Sequence, residues 1–333
     1  MKRCDKLLPA LGLVTLVFAL LALGLGNYGL SAAEVVKTLA TLFRPDDSVS
    51  PMMQSVVLSV RLPRVLLALA AGAGLAAAGA AFQALFCNPL STPDTLGVAT
   101  GAAFGAVAGI LFGLDGAAVQ FSALACGLAA VALVIAVSRV RGQSSILMLI
   151  LSGLVISAFF SSLISLAKYA ADPQDVLPAI TFWLMGSMTG ASMASLAAGL
   201  PFILGGCALL WLLRWRLNAL SLPEDEARSL GLPVAKLRLA VILAATMITA
   251  SVVSMCGMIG WVGLLIPHFA RLLRGNSNES VLPLSLVLGA LFVLGADTVA
   301  RCASEMEIPV SILTALSGAP VFILLLRRSG GIR

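Results

Sequence analysis

The sequence predicts an all-α protein that crosses a membrane many times. Only 11% of its 333 residues are charged, whereas a soluble globular domain carries about 25%. The mean hydropathy is +1.05. Uncharged segments of about 20 residues, the length that a helix needs to cross the hydrocarbon core, recur along the whole chain. These observations favour one polytopic transmembrane domain over residues 1–333 rather than a soluble domain with a single anchor.

Segments without Asp, Glu, Lys or Arg predict ten membrane spans. They cover residues 7–33, 65–93, 95–114, 116–138, 142–167, 176–213, 239–270, 280–296 and 308–326. Two of these segments are long enough for more than one element. Residues 239–270 are interrupted by CGMIGWVG and by Pro267, which predicts one full span and then a shorter, broken one. Residues 176–213 predict a short helix around 182–188, at or in the membrane surface, followed by a full span.

The distribution of Lys and Arg predicts that both termini are cytoplasmic. With the N-terminus inside, the basic residues on the outer side are Lys37, Arg44, Arg61, Arg64, Lys168 and Arg301. The other 15 of the 21 lie on the cytoplasmic side, where membrane proteins retain basic residues. The first apolar run could instead be a secretory signal peptide. It is longer than the 7–15 residues of a usual signal core, so a retained first span is favoured.

Several classes of function lack the residues that they need. The sequence has no G-x-x-x-x-G-K-[ST] phosphate loop, so we expect ATP hydrolysis on a separate chain. Neither G-x-S-x-G nor H-E-x-x-H occurs, and the single histidine, His268, excludes a multi-histidine metal site. The six cysteines form no C-x-x-C pair, so we read them as small apolar residues. Membrane orientation explains the basic residues better than nucleic-acid binding does.

An ion-coupled secondary transporter is the weaker alternative. Ionisable groups inside membrane spans are candidates for function by default. The main candidates are Asp297 and Arg301, which lie four residues apart near the outer end of the ninth span, in the order that favours a helical ion pair. Such a pair can simply neutralise itself, and no chain of buried carboxylates accompanies it.

The stretch SLPEDEARSLGLP, residues 221–233, predicts a short and rigid cytoplasmic helix. Ser221 and Glu224 form an S-x-x-E capping box, and three successive acids suit the positive end of the helix dipole. Gly231 can take the left-handed closing position, and a proline follows it. The helix lies in the most basic cytoplasmic segment, residues 214–238. A solvated connector is the plain alternative, whereas the rigidity suits docking to a soluble partner.

The chain resembles the permease subunits of the FecCD family, which belong to type II ATP-binding cassette (ABC) importers for iron-siderophores, haem and cobalamin. The resemblance extends over about residues 58–328. It is carried by RLPRVLLALAAGAGLAAAGAAFQALFCNPLSTPDTLGVATGAAFGA, FWLMGSM, LSLPEDEARSLGLPVAKLR, GWVGLLIPHFARLLRG and LGADTVARCASEMEIPVSILTALSGAPVFILLL. It implies ten spans, inward termini and a bacterial inner-membrane location. It also implies a second permease chain, two ATPases that use ATP and Mg²⁺, and a periplasmic substrate-binding protein, with no cofactor or metal bound by this chain.

The resemblance also implies three groups of functional residues. Those expected to meet acids of the binding protein are Arg61, Arg64 and Arg301. Those expected to contact the ATPase, within segment 214–238, are Glu224, Ala227, Arg228, Leu230 and Gly231. Those expected at the inner gate or along the path are Asn88, Leu90, Ser144 and Ser145.

The expected cargo is an iron(III)-siderophore complex, the most numerous use of the family. Haem and cobalamin stay open, because the predicted path carries no diagnostic ligand. A homodimer and a heterodimer with a paralogue are both compatible with the resemblance.

Overall fold

A computed structural model describes residues 6–26, 28–44, 46, 48–139, 145–222, 224–303 and 307–328, and every regular element within them is helical. The helices are α1 (Leu7–Gly24), α2 (Ala32–Ala40), α3 (Pro51–Gln54), α4 (Leu62–Leu85), α5 (Val98–Leu111), α6 (Gly116–Ser138), α7 (Ile146–Ala170), α8 (Val176–Leu184), α9 (Met193–Leu220), α10 (Glu224–Ser229), α11 (Val234–Cys256), α12 (Val262–Arg274), α13 (Asn278–Cys302) and α14 (Val310–Arg328). A π-helical turn, Ser55–Arg61, joins α3 to α4 without a break, and a 3-10 turn, Pro93–Leu96, precedes α5.

Each of the ten predicted spans contains a helix, but not every helix is long enough to cross a membrane. Within the described residues, seven are long and apolar enough to cross a membrane: α1, the continuous helix through α4, α6, α7, α9, α11 and α13. The other three predicted spans correspond to α5, α12 and α14. The 13 residues of α12 cover about 20 Å, less than the hydrocarbon thickness of about 30 Å. The short helix expected near residues 182–188 is α8, which ends at Leu184.

The centre of the bundle consists of α4 and α11, whose residues are mostly buried. α4 packs against α9, α11, α12 and α13. Its closest contacts are between glycines. A Cβ atom on Gly72 would overlap the carbonyl oxygen of Gly289 on α13, and one on Gly79 would overlap that of Gly263 on α12. Small residues let membrane helices approach until their backbones touch, which explains the Ala- and Gly-rich sequence of α4.

The glycines of α5 serve close packing on α6. A Cβ atom on Gly101 would lie 2.5 Å from the Cβ of Ala130, and one on Gly105 would overlap the carbonyl oxygen of Ser122. The Ser122 hydroxyl donates to the carbonyl of Gly105 at 2.6 Å. The four-residue spacing of Gly101 and Gly105 therefore marks a helix–helix contact within the chain.

Contacts between helix ends agree with the predicted alternation of sides. At one end, the side chain of Arg61 before α4 and that of Arg301 on α13 both reach carbonyls at the end of α1. At the other end, the backbone N–H of Asn278, the first residue of α13, donates to the Asn218 side chain near the end of α9. These two groups of contacts lie at opposite ends of the bundle, which the placement of Lys and Arg predicts to be the outer and the cytoplasmic end.

Candidate functional site

Five ionisable side chains gather at the outer end of the bundle, and we call them the outer charge cluster. Arg61 closes the π-helical turn, and Arg64 lies in the first turn of α4. Asp297 and Arg301 are one turn apart on α13, and Glu307 lies in the segment that leads into α14. The π-helical turn ends at Arg61, three residues before Arg64, so both arginines lie where it joins α4.

Asp297 holds the centre of the outer charge cluster. Its carboxylate is fully buried and lies 2.8 Å from Nε of Arg64 and 3.2 Å from Nε of Arg301. The same Arg64 places Nη1 2.7 Å from the carboxylate of Glu307, whose side chain is 33% exposed. The predicted Asp297–Arg301 pair is confirmed, and it extends into a four-residue network that joins α4, α13 and the segment before α14.

Arginines of the outer charge cluster also close the end of α1. Nη1 of Arg61 donates to the carbonyl of Leu23 at 2.8 Å, and Nη2 of Arg301 donates to that of Ala22 at 3.0 Å. The last carbonyls of a helix have no partner within the helix and carry its negative dipole end. Guanidinium groups from two other helices satisfy them here, which fixes α1 to the bundle.

The three arginines that are expected to meet the binding protein are not freely exposed. Arg61, Arg64 and Arg301 are each no more than 6% exposed, and each is bonded within the chain. Contact with a binding protein stays a prediction for these three residues. A partner carboxylate would have to displace Glu307 or the α1 carbonyls before it could bond them.

Residues 214–238, which we call the coupling segment after their predicted role, centre on α10. The helix has six residues and begins at Glu224, later than the capping box predicts. The Ser221 hydroxyl donates instead to the carbonyls of Leu217 on α9 and Ala84 on α4, so this residue closes α9. The predicted left-handed position is confirmed at Gly231, where φ is +74° and no other atom lies near an added Cβ.

The two faces of α10 differ. Ala227 is 1% exposed and packs into the main apolar core, with α9 and α11 beside the helix. Ala227 therefore does not lie on the exposed surface that was expected to contact the ATPase, and it anchors the helix to the bundle instead. Asp225, Glu226, Arg228 and Leu230 are exposed. The backbone of Glu224 lies in α10, and its side chain is outside the described residues.

The structure describes three of the four expected gate residues, and all three lie next to helix ends on the predicted cytoplasmic side. Asn88 and Leu90 are exposed after α4, where the Asn88 carboxamide accepts a hydrogen bond from the N–H of Leu90 at 2.9 Å. Ser145 caps α7 by accepting from the N–H of Met148 at 3.2 Å. Ser144 lies outside the described residues. The loop after α4 is held by the hydrogen bond between Asn88 and Leu90, but a gating role stays a prediction for all four residues.

Metal ligands are sparse in the described part of the chain. No group of three or more His, Cys, Asp or Glu side chains within it lies close enough to hold a metal ion. The imidazole of His268 packs edge-on against the ring of Phe322, with centroids 6.1 Å apart.

Sequence reasoning missed two features of the site. One is Glu307 as a partner of Arg64, a contact that spans 243 residues of sequence. The other is the closure of α1 by Arg61. No local signal pointed to either contact, because each joins residues that are far apart along the chain.

Comparison with known proteins places the whole chain. The model of the FecCD transport family matches residues 14–328. The molybdate import system permease protein of Haemophilus influenzae is 44% identical over 332 residues, covering 98% of this chain and 97% of the relative. A probable iron chelatin transport system permease protein of Helicobacter pylori is 37% identical and covers 97% of this chain and 98% of the relative. A solved structure described as an inward-facing conformation of a metal-chelate type ABC transporter matches with a TM-score of 0.88 and 41% identity, over 97% of this chain and 99% of that one.

The helical bundle, with its anchored polar helix on the cytoplasmic side, defines a class: the membrane-spanning permease subunits of ABC importers. The chain belongs to the FecCD transport family. It is accordingly a multi-pass membrane protein and a transport subunit, and ATP hydrolysis takes place on a separate subunit. The family implies ATPase and binding-protein partners.

Proposed function

We propose that this chain forms one half of the translocation path of an importer. The complete assembly contains a second copy of the chain, two cytoplasmic ATPases that use ATP and Mg²⁺, and one binding protein on the outer side. The chain itself holds no cofactor. The observation that carries this proposal is the structure of the coupling segment. Its short helix α10 presents charged side chains on one face, and the buried side chain of Ala227 anchors the other face to the bundle.

The packing around α10 supports a mechanical role for the segment. α10 lies between the cytoplasmic ends of α9 and α11 and contacts both. α11 is buried along most of its length against α4, α5, α6 and α9. Tightly packed interiors transmit displacement instead of absorbing it. A shift of α10 driven by the ATPase therefore moves the central helices and alters access to the path.

For the cargo we propose molybdate first and an iron(III)-siderophore complex second. The molybdate permease relative is 44% identical across nearly the whole of both chains, which supports the first. The iron chelatin permease relative, at 37% identity over a similar length, supports the second. Because cargo reaches the path on a binding protein, the permease does not need a strong ligand set of its own.

An uptake assay in proteoliposomes tests this function. The chain is reconstituted with the ATPase and binding protein encoded beside it, and ATP-dependent uptake of radiolabelled molybdate, iron-siderophores, haem and cobalamin is measured. Molybdate uptake that disappears with an ATPase unable to hydrolyse ATP is the expected result. Siderophore uptake alone would select the second cargo, and ATP-independent uptake driven by an ion gradient would overturn the importer assignment.

The stoichiometry has its own measurement. Mass photometry of the purified complex is expected to show two copies of this chain with two ATPases. A complex that holds one copy beside a different permease would replace the homodimer with a heterodimer.

A further inference from the structure

One face of α9 carries two tryptophans around an arginine. The guanidinium carbon of Arg214 lies 4.7 Å from the ring centroid of Trp211 and 5.8 Å from that of Trp215. Nη1 of Arg214 donates to the carbonyl of Trp211 at 2.8 Å. Both rings are exposed, at 39% and 58%. The arginine is therefore held in a fixed place on the surface by its own helix.

Counted from the start of α9, which the sequence predicts to lie at the outer boundary, this group falls at the inner boundary of a membrane. Trp211 lies 18 residues and Trp215 lies 22 residues after Met193, or about 27 and 33 Å along the helix. The hydrocarbon core is about 30 Å thick. Leu204 and Leu212 are also exposed on α9, where lipid tails would cover them. Tryptophan is enriched at this depth because its ring is apolar and its N–H is polar.

The charge of Arg214 is not neutralised within the described part of the chain. No carboxylate there forms an ion pair with it, and Arg216, two residues further on, is also exposed. The cytoplasmic leaflet carries anionic lipids and attracts basic residues, at about 1 kcal/mol for each one near the surface. A guanidinium group binds phosphate oxygens through two parallel hydrogen bonds, and stacking on aromatic rings leaves its edge available for them.

We propose that Trp211, Arg214 and Trp215 form a binding site for the phosphate group of an anionic phospholipid in the cytoplasmic leaflet. The two rings hold the guanidinium at headgroup depth, and the adjoining leucines of α9 receive the acyl chains. Charge complementarity favours a lipid over a second copy of the chain, because an apolar interface between copies would bury a guanidinium that has no countercharge.

A lipid-exchange experiment tests the proposal on the full importer complex. The complex is placed in nanodiscs with equal amounts of phosphatidylglycerol and phosphatidylcholine, and the lipids that stay bound are counted by native mass spectrometry. We expect preferential retention of phosphatidylglycerol. Arg214→Gln should lower that preference by more than about fivefold, because fivefold corresponds to the 1 kcal/mol that any basic residue near the surface contributes. Arg216→Gln, a matched change without ring contacts, should lower it by clearly less.

Four results would overturn the proposal, three from lipid binding and one from cross-linking. The first is equal retention of both lipids by the unchanged complex, and the second is an equal loss of preference in the two arginine variants. The third is displacement of the bound lipid by millimolar inorganic phosphate, which would identify a site for free anions. Trp215→Leu keeps the charge and removes one ring, so an unchanged preference in that variant would remove the ring from the site. A disulfide-linked dimer formed by the Trp215→Cys variant, and absent from the unchanged chain, would assign the face to a second copy instead.

Discussion

The outer charge cluster and the cytoplasmic coupling segment use charge in opposite ways. At the outer end, Arg61, Arg64, Asp297 and Arg301 are buried and bonded to other parts of the chain. At the cytoplasmic end, Asp225 and Glu226 of α10 are exposed, and the buried side chain of Ala227 anchors the helix. The buried charges of the outer charge cluster hold helices together, whereas the exposed charges at the cytoplasmic end are available to a partner.

The environments explain the difference. The outer charge cluster lies among the ends of α1, α4 and α13, where a guanidinium without a partner would lose its hydration and gain nothing in return. The coupling segment extends from the bundle into water, where a free carboxylate keeps its hydration. Charge count alone would have placed both regions in one category, and burial separates them.

Removal of the central carboxylate should have the largest effect. Asp297→Asn leaves the buried guanidinium of Arg301 without a countercharge and leaves Arg64 with Glu307 alone. Loss of one partner of a buried pair costs about 3–5 kcal/mol. We expect a clear drop in the unfolding temperature of the purified chain in detergent. Asp225→Asn, which neutralises an exposed acid on α10, is the control and should leave that temperature unchanged. Equal unfolding temperatures for both variants would mean that the outer cluster does not hold the bundle together.

A smaller effect on stability is expected from Glu307→Gln, which releases Arg64 from one of its two partners in the outer charge cluster. Glu307→Gln removes the partly exposed carboxylate that pairs with Arg64, while the ion pair between Arg64 and Asp297 remains. We therefore expect the free energy of unfolding to fall by about 1 kcal/mol or less. Arg64 would then be free to bond a carboxylate of the binding protein. The affinity for the binding protein should rise, as measured by surface plasmon resonance at low salt.

The control for that variant lies on α13. Glu279→Gln, at the cytoplasmic end of this helix, should leave binding-protein affinity unchanged. A Glu307→Gln variant with unaltered affinity at every salt concentration would remove Arg64 from the docking surface.

Backbone strain at the coupling segment should reduce transport more than stability. Gly231 has a φ of +74°, and a β-branched residue in this left-handed conformation costs about 1–2 kcal/mol locally. Gly231→Val is therefore expected to lower the amount of cargo moved per ATP hydrolysed. Gly113, with a φ of +73° in an outer loop and equally open surroundings, provides the matched control Gly113→Val. Equal coupling ratios in the two variants would contradict the role of segment 214–238.

The smallest effect on stability should come from the exposed acids of α10. Asp225→Asn combined with Glu226→Gln is expected to change the unfolding free energy by less than about 0.5 kcal/mol. The affinity for the ATPase should change, and its dependence on salt should weaken, because exposed charge pairs are screened. Titration of the ATPase at two ionic strengths measures both. An unaltered salt dependence would show that these two acids lie away from the contact.

Much of the architecture follows from local sequence. Uncharged runs predicted where the helices lie, and basic residues predicted which side of the membrane each connecting segment faces. The left-handed backbone position at Gly231 was predicted because this glycine follows a short polar helix. Predictions failed where a residue had two possible partners. Ser221 was expected to cap α10, but its hydroxyl bonds carbonyls of α9 and α4. Ala227 was expected on the outside of α10, and a two-turn pattern is too short to show which side faces the bundle.

The sequence by itself determined an all-helical membrane protein, its helix positions, its orientation and its family, because hydropathy and motifs are local properties of the chain. The tertiary structure decided which charges are available. Arg64 and Asp297 are separated by 233 residues in sequence and by 2.8 Å in space. A free arginine and a buried, paired one have the same letter in a sequence, and only packing of α4 against α13 distinguishes them.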